Sequence, residues 1–268
     1  MVKIFLIIIF IITTNSISSL ANEALKICKF CDLRYAQYQN LSLNNADYSG
    51  AYMFRINFTR SSVKNSIFES SNLIRSILER GDFTNSNFNK ADLSSSNLYG
   101  STFTNASFIF ANLDDSYLEA AELRHADLSG SSIKGANLIS IFAEEAVFID
   151  SNLSGSNLKS GNFTKSIFDG SIITSSNLEN ANFTKSNLKD VSLKKSNLNK
   201  ANFSFSNLSN ADISETNLVS TNLHGSNLKN VNFTNANLLN ADLSSTLKEG
   251  TIFCNTTMPD GTLNNSGC

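Results

Sequence analysis

The fold of this protein is decided by a stretch that repeats every five residues, most plainly residues 181–205, which read ANFTK SNLKD VSLKK SNLNK ANFSF. We number each unit from position 1, which is mostly small, so that the large apolar residue is at position 3. The same register continues without an insertion from Cys31 to Asn265. Position 3 is apolar in every unit except the one centred on Lys248. A strict short period of this kind indicates a repeat architecture.

A period of five matches neither the 3.6 residues of a helical turn nor the alternation of a strand. The chain must therefore turn a corner in every unit, and we expect each unit to form one short side of a square coil. Position 3 would point into the core, and position 1 would fill the inner corner, while the other three positions face water. Asn, Asp and Ser predominate at position 2, because short polar side chains bond local backbone and tolerate turns.

Four sides per coil predict a second period of twenty residues, and the position 3 residues sort accordingly into two aliphatic and two aromatic-rich columns. The two aromatic columns contain Phe83, Phe103, Phe163, Phe183 and Phe203 in one, and Phe68, Phe88, Phe108, Phe148 and Phe168 in the other. Coils stacked at the β spacing of ~4.8 Å would bury a continuous core, and about twelve of them make a rod of ~55 Å. In the unit 141–145 the sizes of the two inner residues are exchanged. The large residue, Ile141, is at position 1, and the small residue, Ala143, is at position 3.

The tandem Ala/Ser-Asn/Asp-Leu/Phe-x-x units from Cys31 to Asn265 resemble the pentapeptide-repeat family over nearly all of the chain that follows the N-terminal segment. The resemblance implies an all-β fold, a right-handed quadrilateral parallel β-helix. The 235 residues from Cys31 to Asn265 correspond to about twelve coils of twenty residues. We expect caps at both ends, because an open β-helix exposes unpaired strand edges. The resemblance does not imply a single activity, since one fold hosts many functions.

The N-terminal segment has the composition of a secretory signal peptide: a basic start at Met1–Lys3, an apolar run at Ile4–Ile12 and a small, polar stretch at Thr13–Ala21. The apolar run is shorter than the ~20 residues that a helix needs to cross a bilayer, so no stable membrane span is expected. Cleavage near Ala21 would make the protein periplasmic or secreted. We divide the chain into a signal peptide (1–21), an N-terminal cap (22–30), the β-helix (31–250) and a C-terminal cap (251–268).

Cysteines mark both ends of the repeat region, with Cys28 and Cys31 at one end and Cys254 and Cys268 at the other. A rod of ~55 Å cannot join its two ends, because the Cα atoms of a disulfide lie within ~7 Å. We therefore expect disulfides within each end, which secretion favours. The alternative for Cys28-Lys-Phe-Cys31 is a thioredoxin-like redox pair, but its βαβ context is missing.

The titratable residues do not point to catalysis or to a cofactor. His125 and His224 are about five coils, or ~24 Å, apart. The sequence contains neither a metal-spaced Cys/His cluster nor a phosphate-binding glycine loop. The pairs Asp114-Asp115 and Glu144-Glu145 could be catalytic carboxylates or a calcium site. Residues that are twenty apart lie next to each other on adjacent coils, and we call this arrangement the twenty-residue lattice. It provides Glu144 and Glu145 with basic neighbours, so we expect them to form ion pairs. We expect no enzyme activity and no cofactor.

One basic cluster lacks this neutralising pattern, and we call it the arginine patch: Phe54, Arg55, Arg60, Ile74, Arg75 and Arg80. Arg55 lies one coil before Arg75, and Arg60 one coil before Arg80, although like charges placed side by side are unfavourable. The lattice places Phe54 and Ile74 in an adjacent outward ladder, and exposed aromatic and arginine residues often mark interaction surfaces. The patch is a candidate for binding an envelope protein or an anionic surface. The alternative is a solvated face balanced by Glu69 and Glu79.

We expect a non-enzymatic structural or protein-interaction scaffold in the cell envelope, with a monomer favoured and end-to-end association possible. The alternative follows from the family resemblance, since some pentapeptide-repeat proteins mimic duplex DNA and bind a type II topoisomerase. The signal peptide argues against that role, and so do lysines such as Lys185 and Lys189, which interrupt any acidic stripe. The slightly acidic net charge of −2 gives no reason to expect a nucleic-acid partner.

Overall fold

The structure is a computed structural model that describes residues 25–268. The predicted signal peptide and the first residues of the predicted N-terminal cap lie outside the described residues. From Ile27 onward the chain winds in coils of twenty residues. Parallel bridges join position 2 of each unit to position 2 of the unit twenty residues later, from Ile27 with Asp47 to Asn237 with Thr257. The predicted twenty-residue period is therefore confirmed.

Each side of a coil is so short that a single residue forms the bridge to each neighbouring coil. Asn72 donates its N–H to the carbonyl of Ala51 in the preceding coil at 2.9 Å, and Leu73 donates to Asp92 in the following coil at 2.7 Å. Continuous strands are formed only near the C-terminus of the described chain, where β1 (Thr256–Thr257) pairs with β2 (Leu263–Asn264). No helix among residues 25–268 is long and apolar enough to span a bilayer.

The corners of the coil are tight turns with a left-handed residue at position 5. Ala91 donates its N–H to the carbonyl of Phe88 at 3.0 Å, and Lys90 between them has φ of +59°, as at the third residue of a type II turn. From Phe30 to Asn255 no position 5 holds Val, Ile or Thr, because β-branched residues are strained in this region. The side chain at position 2 holds the turn, since Asp82 Oδ1 accepts the N–H of Thr84 at 3.1 Å.

The core consists of positions 1 and 3, as predicted, and the aromatic columns stack along the rod. The ring of Phe183 lies parallel to those of Phe163 and Phe203, with centroids 4.8 and 4.9 Å away. The two aromatic columns meet edge to face, as in the 5.6 Å pair of Phe163 and Phe168. Ala143 is buried together with Ile141, so the predicted exchange of large and small residues occurs.

Two tyrosines replace phenylalanine or leucine in the N-terminal part of the core. Tyr38 and Tyr48 are buried, and their hydroxyl groups make no hydrogen bond within the described part of the chain. Burial raises the pKa of Tyr38 to about 12 and also raises that of Tyr48. A buried hydroxyl without a partner costs stability.

The parallel ladder ends at Thr257, and the following residues turn back across the last coil. Gly261 donates its N–H to the carbonyl of Met258 at 2.9 Å, which closes a tight turn that contains Pro259. Leu263 fits the position 3 register but lies in the segment predicted to be the C-terminal cap, where β2 runs antiparallel to β1 and leaves this side chain exposed. The predicted segment bounds stay predictions, and the ladder itself extends from Ile27 to Thr257.

The returning segment occupies hydrogen-bond donors that, in other coils, bond to the next coil. Phe253 donates its N–H to the carbonyl of Ser266 at 2.8 Å, and Asn255 donates to the side chain of Asn265 at 3.0 Å. On the next side, Met258 donates its N–H to the carbonyl of Thr262 at 2.7 Å, so two of the four sides of the last coil are covered by the chain itself. Such cover protects a strand edge from pairing with another chain.

Candidate interaction surface

The four cysteines lie at disulfide distance in the two pairs expected from the sequence. The Sγ atoms of Cys28 and Cys31 are 2.13 Å apart, and those of Cys254 and Cys268 are 2.14 Å apart. The first pair lies at the start of the first coil. The second joins the last coil to the returning C-terminal segment, so it holds that segment against the strand edge.

The four arginines of the patch occupy position 5 on two consecutive coils. Their φ values lie between +53° and +56°, so the left-handed corners direct all four side chains into solvent. The N–H of Arg55 bonds to the carbonyl of Ile74 at 3.1 Å, and that of Arg60 bonds to Glu79 at 2.9 Å. The structure therefore brings the predicted residues together on two adjacent corners of the rod.

Most of the patch charge lacks an acidic partner. Arg55, Arg60 and Arg75 form no ion pair within residues 25–268, and Arg80 only approaches Glu79 at 4.0 Å. Glu69, which would balance the patch in the alternative of a solvated face, forms no ion pair with the described residues. Like charges on adjacent coils raise the energy of the free protein, and an anionic partner would relieve that repulsion.

Aromatic side chains extend the patch on both sides. The guanidinium of Arg55 lies 5.4 Å from the centroid of the Phe54 ring, and the Tyr35 ring meets Phe54 edge-on at 5.6 Å. Arg80 lies 5.6 Å from the centroid of Tyr99. Phe54 and Ile74 point outward as predicted, but they are half-buried rather than fully exposed. These cation–π contacts hold the guanidinium groups in place on the surface.

The sequence reasoning missed the tyrosines around the patch. Tyr35 lies one coil before Arg55, and Tyr99 lies one coil after Glu79, beside Arg80. Tyr52, at position 2 of the unit that contains Arg55, is 57% exposed. The twenty-residue lattice contained this signal, because it already places these residues next to the arginines.

Of the carboxylates considered for catalysis, Glu144 and Glu145 form the predicted ion pairs. Arg124 lies 3.2 Å from Glu144, while Glu145 lies 3.4 Å from His125 and 2.8 Å from Lys165. The hydrogen bond from Lys165 lowers the pKa of Glu145. No group of His, Cys, Asp and Glu side chains among residues 25–268 is arranged to hold a metal ion.

The second histidine makes one contact that resembles part of a hydrolytic site. The Nδ1 atom of His224 lies 2.8 Å from the hydroxyl of Ser244, which is exposed. The nearby carboxylate of Asp242 accepts the N–H of Ser244 at 2.9 Å. It therefore stabilises its own turn, as the position 2 side chains of other units do. A nucleophile–base–acid relay needs that carboxylate on the histidine, so this arrangement is a surface contact of the repeat.

Charge is distributed unevenly along the rod. Residues 25–64, the first two coils, contain six basic side chains and two acidic ones, a balance of +4. Residues 65–268 contain 14 basic and 20 acidic side chains, a balance of −6. The N-terminal end of the rod is thus its positive pole, and much of the arginine patch lies there.

Sequence profiles of two repeat families match this chain. The profile described as pentapeptide repeats (8 copies) matches residues 66–105, 103–138 and 151–190, and the one described as pentapeptide repeat region matches residues 171–243. Together these matches cover more than half of the chain. The protein belongs to the pentapeptide-repeat family, and its fold is the right-handed quadrilateral β-helix of that family.

Solved structures of pentapeptide-repeat proteins are similar to this chain at low identity. HetL from the cyanobacterium Nostoc sp. Strain PCC 7120 is 21% identical, with 95% of this chain and 100% of HetL covered and a TM-score of 0.33. QnrB1, a plasmid-mediated fluoroquinolone resistance protein, is 15% identical, with 79% and 91% covered and a TM-score of 0.44. A pentapeptide-repeat protein of the Arabidopsis thaliana thylakoid lumen is 20% identical, with 53% and 63% covered and a TM-score of 0.19. Among curated proteins, no sequence matches the chain.

Proposed function

We propose that this protein is a non-enzymatic scaffold of the cell envelope, a rigid rod that holds a partner protein on the arginine patch. The envelope location rests on the predicted signal peptide and on cysteine pairs that suit an oxidising compartment. The repeat supplies rigidity, because every coil is hydrogen-bonded to both neighbours. Its outward positions can vary without disturbing the core, as in other solenoid proteins.

The use of the polar side chains supports a role without catalysis. The Asn and Asp residues at position 2 accept N–H groups of their own turns, as Asn57 does from Thr59 at 2.9 Å. Buried serines at position 1 bond to backbone carbonyls, as Ser96 does to Leu73 at 2.7 Å. These groups therefore stabilise the coil, and their abundance does not indicate a reactive site.

The observation that carries the proposal is the set of arginines without acidic partners, flanked by aromatic rings. Among residues 25–268, Arg34, Arg80 and Arg124 have a carboxylate within 4.0 Å, whereas Arg55, Arg60 and Arg75 have none. Lys90, Lys185, Lys200 and Lys248 also form no ion pair with the described residues, so the patch is distinguished by its arginines and their aromatic neighbours. Arginine and aromatic residues are the types that contribute most to protein interfaces. An acidic partner surface would satisfy both the charges and the rings.

The test is crosslinking in intact envelopes of cells that produce either the natural protein or the variant in which Arg55, Arg60, Arg75 and Arg80 are all serine. We expect the variant to lose the crosslinked partner. A control variant removes four positive charges elsewhere, with Lys165, Lys185, Lys189 and Lys200 replaced by serine, and should retain it. The same partner captured at equal yield by both variants would show that the patch is not the binding surface.

The topoisomerase-binding alternative finds no support in the charge distribution. A mimic of duplex DNA needs an acidic surface along its length, because the phosphate backbone dominates DNA binding. Here the first two coils carry a balance of +4, and the coil of residues 181–200 contains five lysines and one acidic residue, Asp190.

A further inference from the structure

The two most exposed large apolar side chains of the described structure lie in the first coil, together with an exposed tyrosine. Ile27 is 76% exposed, Phe30 is 75% exposed, and Tyr35 is 57% exposed. The ring of Phe30 lies over Gly50 of the next coil, where a Cβ atom would be only 2.5 Å from the ring. The side chain is thus held at the corner with one face in water. We call Ile27, Lys29, Phe30 and Tyr35 the N-terminal tip.

Basic groups surround these apolar side chains. Lys29 lies within the tip and pairs with Asp47 at 2.9 Å, yet its side chain is still 56% exposed. The tip belongs to the two coils with a charge balance of +4, whereas the remainder of the rod has a balance of −6. A rod with such a charge dipole orients its positive end toward an anionic surface.

The C-terminal end of a second copy belongs to the acidic part of the rod, but its structure makes it a poor partner for the tip. In a head-to-tail stack, a second copy would pair its first coil with the open edge of the last coil. Residues 262–266 already bond to Phe253, Asn255 and Met258 on that edge. Of the two sides that remain, one carries Lys248 where every other coil has an apolar side chain. Such covers and charges prevent pairing between strand edges.

The apolar side chains of the tip stand on one side and two corners of the first coil, with Ile27 at position 2 and Phe30 and Tyr35 at position 5. A folded partner would need a surface that matches this arrangement. A bilayer needs no such match, because headgroups rearrange around inserted side chains. Exposed Ile and Phe side chains beside Tyr, Lys and Arg are the combination found at membrane interfaces, where rings enter the headgroup region and cations bind anionic lipids.

We propose that the N-terminal tip binds the surface of an anionic lipid bilayer, with Ile27 and Phe30 entering the headgroup region. Binding at this end leaves the rest of the rod to project from the membrane. The arginine patch lies on the coils next to the tip, so a partner bound there would be held close to the membrane surface. The tip adjoins the arginine patch where Tyr35 meets Phe54, but Ile27 and Phe30 are not members of the patch, so substitutions at these two residues test the tip separately from the four arginines.

The test uses the exported protein without its predicted signal peptide, mixed with vesicles and separated by flotation. Vesicles of phosphatidylglycerol and phosphatidylcholine at roughly 3:7 should bind the protein, and pure phosphatidylcholine should bind it at least about tenfold more weakly. Raising the salt from about 0.1 to 0.5 M should weaken binding, because the Debye length falls from ~10 Å toward ~3 Å. Replacing Ile27 and Phe30 together with serine should weaken binding by about tenfold or more.

A control variant removes two exposed rings from other coils. Phe110 is 65% exposed and Phe205 is 57% exposed, so the double serine variant at these positions should bind vesicles like the natural protein. Equal binding by the I27S/F30S variant would overturn the tip assignment, and so would failure of the natural protein to bind anionic vesicles. Vesicle binding lost only in the four-arginine variant would assign lipid binding to the patch. Self-association without lipid would show that a second copy is the partner.

Discussion

The stacking of rings on glycines gives the sharpest quantitative prediction about the coil. Gly130 has φ of +66°, and a Cβ atom there would be 2.4 Å from the ring of Phe110 in the preceding coil. Gly155 has φ of +71°, and nothing lies within 4 Å of its Cβ position. Alanine at either site destabilises the folded protein by ~1 kcal/mol, because its Cβ atom is strained at positive φ. The lower entropy of the unfolded chain partly offsets this cost. Only Gly130→Ala must also displace a ring.

The size of that additional effect follows from the exposure of Phe110. The residue is 65% exposed, so about 70 Å² of a side chain that can bury roughly 200 Å² is in contact with the rod. At ~25 cal/mol per Å², losing that contact costs about 1–2 kcal/mol. Gly130→Ala should therefore destabilise the protein by that much more than Gly155→Ala. Urea unfolding followed by circular dichroism measures the difference.

A double-mutant cycle isolates the ring as the cause. Phe110→Ser combined with Gly130→Ala should be much less destabilised than the sum of the two single variants predicts, with a coupling of about 1–2 kcal/mol. Hydrogen exchange at Gly130, whose N–H bonds to Ile149 at 2.8 Å, reports the local effect. Equal stability of Gly130→Ala and Gly155→Ala would refute the contact between the ring and the glycine.

Three further predictions concern the core, the turns and the C-terminal segment. Tyr48→Phe removes a buried hydroxyl without a partner, so it should raise the free energy of unfolding by about 1–2 kcal/mol in a urea titration. Burial alone would raise the pKa of Asp82, but its hydrogen bonds from Lys64 and Thr84 outweigh burial and lower it. The stability that this carboxylate contributes is therefore present above the unfolded pKa of ~3.9 and is lost as the pH falls through the folded pKa. Asp82→Asn keeps the turn acceptor and should reduce the decline in melting temperature between about pH 5 and pH 2. Replacing Cys254 and Cys268 with serine should speed hydrogen exchange at Phe253 by releasing the returning segment, whereas unchanged exchange would show that backbone bonds alone hold it.

Much of the fold follows from the sequence because the repeat leaves few alternatives. The alternation of small position 1 and apolar position 3 predicts both buried positions, and the columns predict that Phe163, Phe183 and Phe203 lie above one another. The ion pairs of Glu144 and Glu145 follow from the same lattice. A further signal was present and unused: position 5 never holds a β-branched residue between Phe30 and Asn255, which indicates left-handed corners.

The C-terminal end could not be predicted from the repeat pattern. Leu263 fits the five-residue register, yet it lies on an antiparallel strand and is exposed. At the end of a solenoid no next coil exists to receive the backbone donors, and the chain satisfies them by folding back. The register alone cannot distinguish another coil from a segment that returns across the last one.

For the surface, the sequence by itself determined which side chains face outward and which coil each occupies. That was enough to assemble the arginine patch, because inward and outward positions follow from a fixed period. Only the tertiary structure decided which charges are compensated and how far each apolar side chain is exposed, as for Arg55 and Ile27. Those properties depend on side-chain conformation. The period fixes only where each side chain leaves the backbone, and a long side chain can reach several partners on neighbouring coils.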